Sequence, residues 1–537
     1  MTAPSPPVPP GSAADSGRDR TGEPRQWWTV SVAVLAQTLV LLDHTILNIA
    51  LETLAEPGAG LGASPAELAW AVASYSLVFA ACGFPGGALA DRFGARRVLV
   101  AGLLVLGAAA LAAAFAPNAA ALIVARGGMG AGGALITPAT LALVTRHTTA
   151  AARPRALAVW ASSGAVAVAL GPLVGGALLE HFWWGSVFLL NLPVVAVCLA
   201  GAGLLVPRTR QVERRGLDLP GLALSVAGLG LLVYGAVRGG GRAGWSDPGT
   251  LVALAAGLVL LALFTVVERA RAEPGLDVRL FAEPRFACGG LVLLLLFFGL
   301  AGQLFYCAFY LQGVRGLSAQ GAGAVMMSAA GGIVLGNQVS PALTRTLTVR
   351  WVTAAGTVLA GLTFGGYVFL DGDSPPVWLV LLLFAQGAGV GLVVAPMTTE
   401  MMAAIPPHQT GAGAAVAAAA RPVGSALGVA VLGSVLAASY RRAVRPALDG
   451  LPGTARERAM DSAEAARSLA GMPGGADLLA AADRAYLHAM HVTAVWTALL
   501  TLGGAVLVVA HLRPRESRYE AHHGHGTAPP AGRARRR

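Results

Sequence analysis

Lysine is absent from this chain: all 38 of its basic residues are arginine. Arginine codons are GC-rich and lysine codons are not, so the bias reads as codon usage rather than chemistry. Charge of either sign is scarce. Only 12% of the 537 residues are charged and 55% are hydrophobic, where soluble globular chains carry roughly 25% charge. That balance excludes a soluble multidomain protein, and apolar runs near the ~20 residues that cross a bilayer recur along the sequence. Cysteine is also rare. Cys82, Cys198, Cys288 and Cys307 each fall inside an apolar run without paired spacing, so they read as small buried hydrophobes rather than disulfides or metal ligands. No phosphate loop, zinc-binding spacing or nucleophile elbow is found, which argues against a built-in ATPase and against an enzyme. The formal charge of +11 does not point to nucleic acid, because the arginines sit in loops and tails, where they orient membrane spans.

What is present is a succession of apolar segments. Fourteen helical spans are expected, at 28–50, 68–90, 98–115, 119–144, 156–179, 186–206, 219–237, 251–267, 287–311, 321–339, 351–370, 377–402, 411–438 and 492–512. They organise the chain as a disordered tail (1–26), a six-helix half (27–206) and two extra spans with linkers (207–285). A second six-helix half (286–512) follows, with a long loop at 440–491, and then an Arg/His-rich tail (513–537). An even count puts both tails on one side. The short loops of that side carry Arg92, Arg96, Arg97, Arg146, Arg153 and Arg155 among many, whereas the opposite short loops hold only Arg238, Arg242 and Arg315. Both termini are therefore expected in the cytoplasm. The loop 440–491 is external on this reading, a charged linker with a surface helix and no recognisable motif. Span four contains GMGAGGALITPAT and span twelve AQGAGVGLVVAPMT, each a small-residue face followed by proline, which points to two repeated halves around a pathway.

Four stretches break the apolar pattern. GGALADRFGARR (86–97) crowds Asp91, Arg92, Arg96 and Arg97 into the turn between spans two and three. A positive-inside turn accounts for the arginines but not for Asp91 or for Gly94, which permits a tight reversal. LLDHTILNIAL (41–51) puts Asp43 inside the first span, where an ionisable group is costly and functional by default. LIVARGGMGAGG (122–133) puts Arg126 too deep in the fourth span for simple snorkelling. Its GxGxxG follows no strand and marks no dinucleotide site. ALGPLVGGALL (169–179) supplies Gly171, Pro172, Gly175 and Gly176, a close-approach face with a kink. Arg421 in span thirteen and Gln303, Asn337 and Gln386 are further pathway candidates, with ordinary interhelical bonding as the competing reading. AHHGHG (521–526) reads as disordered tail rather than a metal site.

Together these stretches resemble motifs of the major facilitator superfamily, in particular its fourteen-span drug:proton antiporters. The turn matches G-x-L-a-D-r-x-G-r-k at Gly87, Leu89, Asp91, Arg92, Gly94 and Arg96, with Ala95 at a usually basic position and Arg97 beside it. The first span matches l-D-x-T-v-v-n-v-A-L-P at Asp43, Thr45, Asn48, Ala50 and Leu51, with Glu52 replacing the proline. The fourth matches l-x-x-x-R-x-x-q-G at Arg126, with Met129 replacing glutamine. The fifth matches g-x-x-x-G-P-x-x-G-G, with Ala167 replacing the leading glycine, and FLLNLP (188–193) is similar to fourteen-span relatives.

The resemblance implies an all-α membrane fold of two six-helix halves plus two central spans. It implies export of a lipophilic drug or antibiotic across the cytoplasmic membrane, by alternating access and driven by proton entry. Asp43 and Arg126 would couple the proton, the charged turn would gate, and the fifth-span motif would set the direction. The proton gradient supplies the energy without a cofactor. Protons, substrate and membrane lipid are the expected partners of a chain working as a monomer. Little acidic charge in spans seven to thirteen argues against a specialist for dications. Two rivals stand beside this reading: a proton-coupled nutrient importer, opposed by GPLVGG, and a membrane sensor or scaffold, opposed by buried Asp43 and Arg126. The spacing leaves open whether Arg126 reaches Asp43.

Overall fold

Long apolar runs with no water to satisfy their peptide groups must bond their own backbone, and this chain does so as helices. The computed structural model describes residues 23–56, 58, 60–149, 152–207, 218–240, 243–271, 278–403, 410–449, 451–469 and 475–512, and no strand occurs among them. The first half comprises α1 (Glu23–Ala55), α2 (Pro65–Phe93), α3 (Ala95–Ala114), α4 (Ala119–His147), α5 (Arg153–His181), the single turn α6 (Ser186–Leu189) and α7 (Asn191–Leu204). Next come α8 (Leu219–Gly240) and α9 (Pro248–Ala270). The second half runs through α10 (Pro284–Phe309), α11 (Ala319–Thr346), α12 (Val349–Gly366), α13 (Pro376–Ala403) and α14 (Thr410–Val444). Two short helices, α15 (Gly453–Asp461) and α16 (Ala463–Arg467), lead into α17 (Gly475–His511).

Local chemistry sets several starts. Ser64 and Glu67 form a reciprocal capping box at α2, and Asn118, Asp247 and Ser318 each accept an amide of the first turn of α4, α9 and α11. Asp247 also accepts from Arg238 Nε at 2.8 Å, which pins the α8–α9 turn and holds the carboxyl below its usual range. Gly94, at φ 90°, ends α2 and opens α3.

Twelve helices among the described residues are long and apolar enough to cross a membrane. The expected count of fourteen is thus not confirmed. The other two expected spans coincide with the helices α5 and α8, which that count does not include. The expected sixth span is met by Ser186–Leu204, in which Leu190 separates α6 from α7. The expected loop at 440–491 is largely helical, since α14 continues to Val444 and α17 begins at Gly475.

The two halves pack by one plan. In the first, α1 lies on α5 and α7, while α2 and α3 lie on α4; in the second, α10 lies on α14 and α17, while α11 and α12 lie on α13. Pro138 in α4 and Pro396 in α13 stand at corresponding places in this plan. The halves meet through a symmetric pair of contacts, α5 with α11 and α2 with α14. Over that seam sits α8, against α2 and α14, with α9 on α8. Large apolar side chains such as Leu104, Val124, Val252, Val259, Leu362 and Val506 stand exposed on the outside. They form the lipid-facing surface of a multi-pass membrane protein.

The ends of the bundle differ. One carries the arginine-rich α2–α3 and α4–α5 turns; the other carries the α1–α2 and α3–α4 turns and helices α15 and α16. Toward this second end the halves touch closely. A Cβ placed on Gly433 of α14 would lie 3.8 Å from the Ala69 methyl of α2, and Gln312 Nε2 donates to Ile49 O at 3.0 Å.

Candidate functional site

Asp43 lies on α1 with no exposed surface, and Arg126 on α4 is 1% exposed. A lone charge buried this way would be expelled or neutralised, so each must find a partner. They find each other: Arg126 Nη1 stands 2.8 Å from Asp43 Oδ2. The second oxygen, Oδ1, accepts from Asn191 Nδ2 at 3.0 Å, and Asn191 is itself fully buried. Both carboxylate oxygens thus receive N–H donors, the pattern of an acceptor-only, ionised carboxylate.

Arg126 is also held by α2. Its Nε donates to Ala71 O at 3.3 Å, and its guanidinium carbon lies 4.5 Å from the centre of the Tyr75 ring. The Tyr75 hydroxyl in turn donates to Val40 O on α1 at 3.0 Å. Met129, which stands where the family motif has glutamine, approaches Arg126 Nη1 at 4.0 Å with its sulfur, a weak contact in place of an amide bond. Four elements therefore converge on one ion pair. Sequence reasoning had named the two charges but not Asn191, Tyr75 or the Ala71 carbonyl. The available signal for Asn191 was FLLNLP, where an amide interrupts an apolar run just before proline; the α6–α7 break places that amide at the first residue of α7.

The second half repeats the arrangement without charge. Gln386 Nε2 on α13 donates to Gln303 Oε1 on α10 at 2.9 Å, and Gln303 Nε2 donates to the Tyr367 hydroxyl, all fully buried. Each pair joins the first and fourth helix of its half, and each spans 83 residues. Of the other candidates, Asn337 is exposed on α11 and joins neither glutamine. Arg421 on α14 donates to Thr398 Oγ1 at 2.9 Å and lies 5.7 Å from the Phe297 ring, a separate polar contact in the second half.

The fifth-helix motif is a contact surface on two sides. A Cβ on Gly175 would come within 2.7 Å of the Ile46 side chain on α1, and one on Gly171 would strike Thr45. Thr45 Oγ1 also donates to Ala167 O at 3.3 Å. Gly176 faces the other way, toward α11, where a Cβ would lie 2.6 Å from Ala319 O. Pro172 is buried at the same contact, with its carbonyl against Gly323.

In the charged turn, Arg96 Nη2 donates to Gly203 O near the end of α7 at 2.8 Å, while Arg92 and Arg97 are exposed and Leu89 is half-buried. A Cβ on Gly87 would make only ordinary contact with Pro138 of α4, at 3.9 Å. The Asp91 side chain and the AHHGHG stretch lie outside the described residues.

Two helical halves about a seam, with an ion pair buried in one of them, are the architecture of a membrane transporter rather than of an enzyme. The chain belongs to the Major Facilitator Superfamily, whose family model matches residues 33–429. It is 35% identical over 490 residues to the methyl viologen resistance protein SmvA of Salmonella typhimurium, covering 89% of this chain and 97% of that one. It is 36% identical over 439 residues to the puromycin resistance protein pur8 of Streptomyces alboniger, covering 80% and 84%. The multidrug efflux pump LfrA of Mycolicibacterium smegmatis is 33% identical over 488 residues, covering 90% and 96%. Among solved structures, a bacterial homolog of the human lysosomal transporter Spinster, inward-facing and unoccupied, aligns with TM-score 0.65 at 18% identity over 91% of this chain and 98% of that one. That likeness is one of fold.

Proposed function

We propose that this protein exports a lipophilic small molecule, a drug or antibiotic, across the cytoplasmic membrane in exchange for protons. The buried Asp43–Arg126–Asn191 site carries the reading, joined to relatives named for resistance and efflux. By the arginines of the short loops, the end carrying the α2–α3 and α4–α5 turns is cytoplasmic, both termini included, and the end carrying α15 and α16 is external. The seven arginines of 440–491 lie in a long segment, which escapes the rule. On this reading α5 and α8 also cross, giving fourteen spans: their 29 and 22 residues would extend about 44 and 33 Å. The chain works as a monomer in lipid, with protons and substrate as its partners.

The coupling follows from what each group is tied to. A proton on Asp43 removes its charge and with it the attraction that joins α1 to α4. Arg126 does not have to move, because the Ala71 carbonyl and the Tyr75 face still hold it. The freed element is α1. Two and three residues beyond Asp43, Thr45 and Ile46 press on Gly171 and Gly175 of α5, and the neighbouring Gly176 presses on α11 across the seam. Protonation at one residue is thereby linked to the contact that must part for the exterior to open.

Inverted vesicles containing the purified protein test this, with methyl viologen, puromycin and ethidium as probes. Acidifying the compartment that corresponds to the exterior should drive uptake of at least one probe, and collapsing the gradient should stop it. Movement of probe in the direction of the proton would establish import instead. No gradient-dependent movement of any probe would favour the sensor reading.

A further inference from the structure

At the end that carries α15 and α16, a second group of charges joins the halves. Glu52, near the end of α1 and at the motif position otherwise held by proline, is only 9% exposed. It faces α16, where Arg467 Nη1 lies 3.6 Å from Glu52 Oε1 and 3.3 Å from Glu464 Oε1, and Arg467 Nη2 lies 2.7 Å from Asp483 Oδ1 on α17. Three carboxylates share one guanidinium, a formal charge of −2 when all are ionised, and Glu464 is only 8% exposed. Glu56, one turn beyond Glu52, adds further negative charge nearby. Glu52 Oε2 is buried without a hydrogen-bond partner. The tyrosines packed around the cluster do not relieve it, since Tyr440 donates to Ala459 O and Tyr486 to Tyr306 O.

A buried carboxylate oxygen without a donor, next to a second buried carboxylate, is costly unless one of the pair takes a proton. A proton removes one charge and turns an acceptor-only oxygen into a donor. We propose that Glu52 is a second proton-binding site, filled from the exterior as α16 closes over α1 and emptied to the same side when they part. The proton adds to a carboxylate and leaves it again toward the water it came from, so none crosses the membrane here. Because closure takes up the proton, external acid favours the externally closed state. The inference rests on the orientation and alternating access proposed above. It assigns to the Glu52–Arg467 contact a control of the external gate that is separate from Asp43.

A cysteine reporter tests it on the full chain in right-side-out vesicles, without substrate or gradient. Ala69→Cys, packed against Gly433 across the seam, should react with an impermeant maleimide only when the exterior opens. Rates are divided by those of Asp449→Cys, on the exposed external segment, to remove the thiol's own pH dependence. With Glu52 intact, normalised labelling should fall at least about fivefold between about pH 8 and about pH 5.5. In Glu52→Gln, which mimics the protonated state, it should stay low at both pH values. In Asp43→Asn the fall should persist. An unchanged pH response in Glu52→Gln would overturn the proposal. So would faster labelling of Glu52→Gln at every pH, which would mean that the ionised pair holds the gate. If Ala69→Cys never labels in any variant, alternating access itself fails, a result distinct from either.

Discussion

At the residue scale the two halves make opposite choices at corresponding places. One buries Asp43 and Arg126, the other Gln303 and Gln386. An amide pair carries no charge at any pH, whereas a carboxylate–guanidinium pair changes state with one proton, so only the first half can respond to a gradient through this pair. Asp43→Asn is expected to insert and fold, because asparagine keeps the shape and can still bond Asn191, but gradient-driven efflux should fall to the leak rate. Arg126→Leu is expected to be the more damaging change for the fold. It leaves a buried carboxylate without its cation, a loss of roughly 3–5 kcal/mol for breaking a buried pair. Thermal unfolding in detergent reads this directly. The double variant Asp43→Asn with Arg126→Leu should recover much of the stability while export stays absent.

At the element scale, function depends on how closely helices approach and part. Gly94 holds φ 90° where α2 gives way to α3, a conformation that valine adopts only with strain. If the turn gates conformational exchange, as we propose, Gly94→Val should lower maximal export by about tenfold with little change in substrate affinity. A large loss of affinity at unchanged maximal rate would contradict the gating role of this turn. On α5, Gly176 meets the α11 backbone, so Gly176→Leu should wedge the seam and stop turnover. Gly83 on α2 makes a matched control, because a Cβ there meets nothing within 4 Å. Gly83→Leu should transport normally in the same efflux assay.

At the scale of the whole molecule, the segment between α14 and α17 is part of the fold. Read from sequence it was a polar linker, yet Ala455, Ala459, Ala463, Ala466 and Leu469 are buried against the core, and Arg467 reaches α1 and α17. Deleting 451–474 is therefore expected to lower thermal stability and to abolish the pH response of the Ala69→Cys reporter. Wild-type unfolding and an intact pH response in the deletion variant would return the segment to the status of a linker.

The sequence by itself determined the helical membrane class, the charged turn, the position of each intramembrane ionisable residue and the family. These follow from composition, hydrophobic run length and short motifs, all properties of a stretch of chain considered alone. Only the tertiary structure decided which side chains meet. Asp43 finds Asn191 from 148 residues away, and Arg467 leaves its amphipathic helix to face Glu52. Asn337, alike in sequence to the paired glutamines, is left exposed on α11. The reason is rotational. Neighbouring residues on a helix point about 100° apart, so a partner depends on how each helix is turned and tilted against the next, and that is settled by packing over the whole bundle.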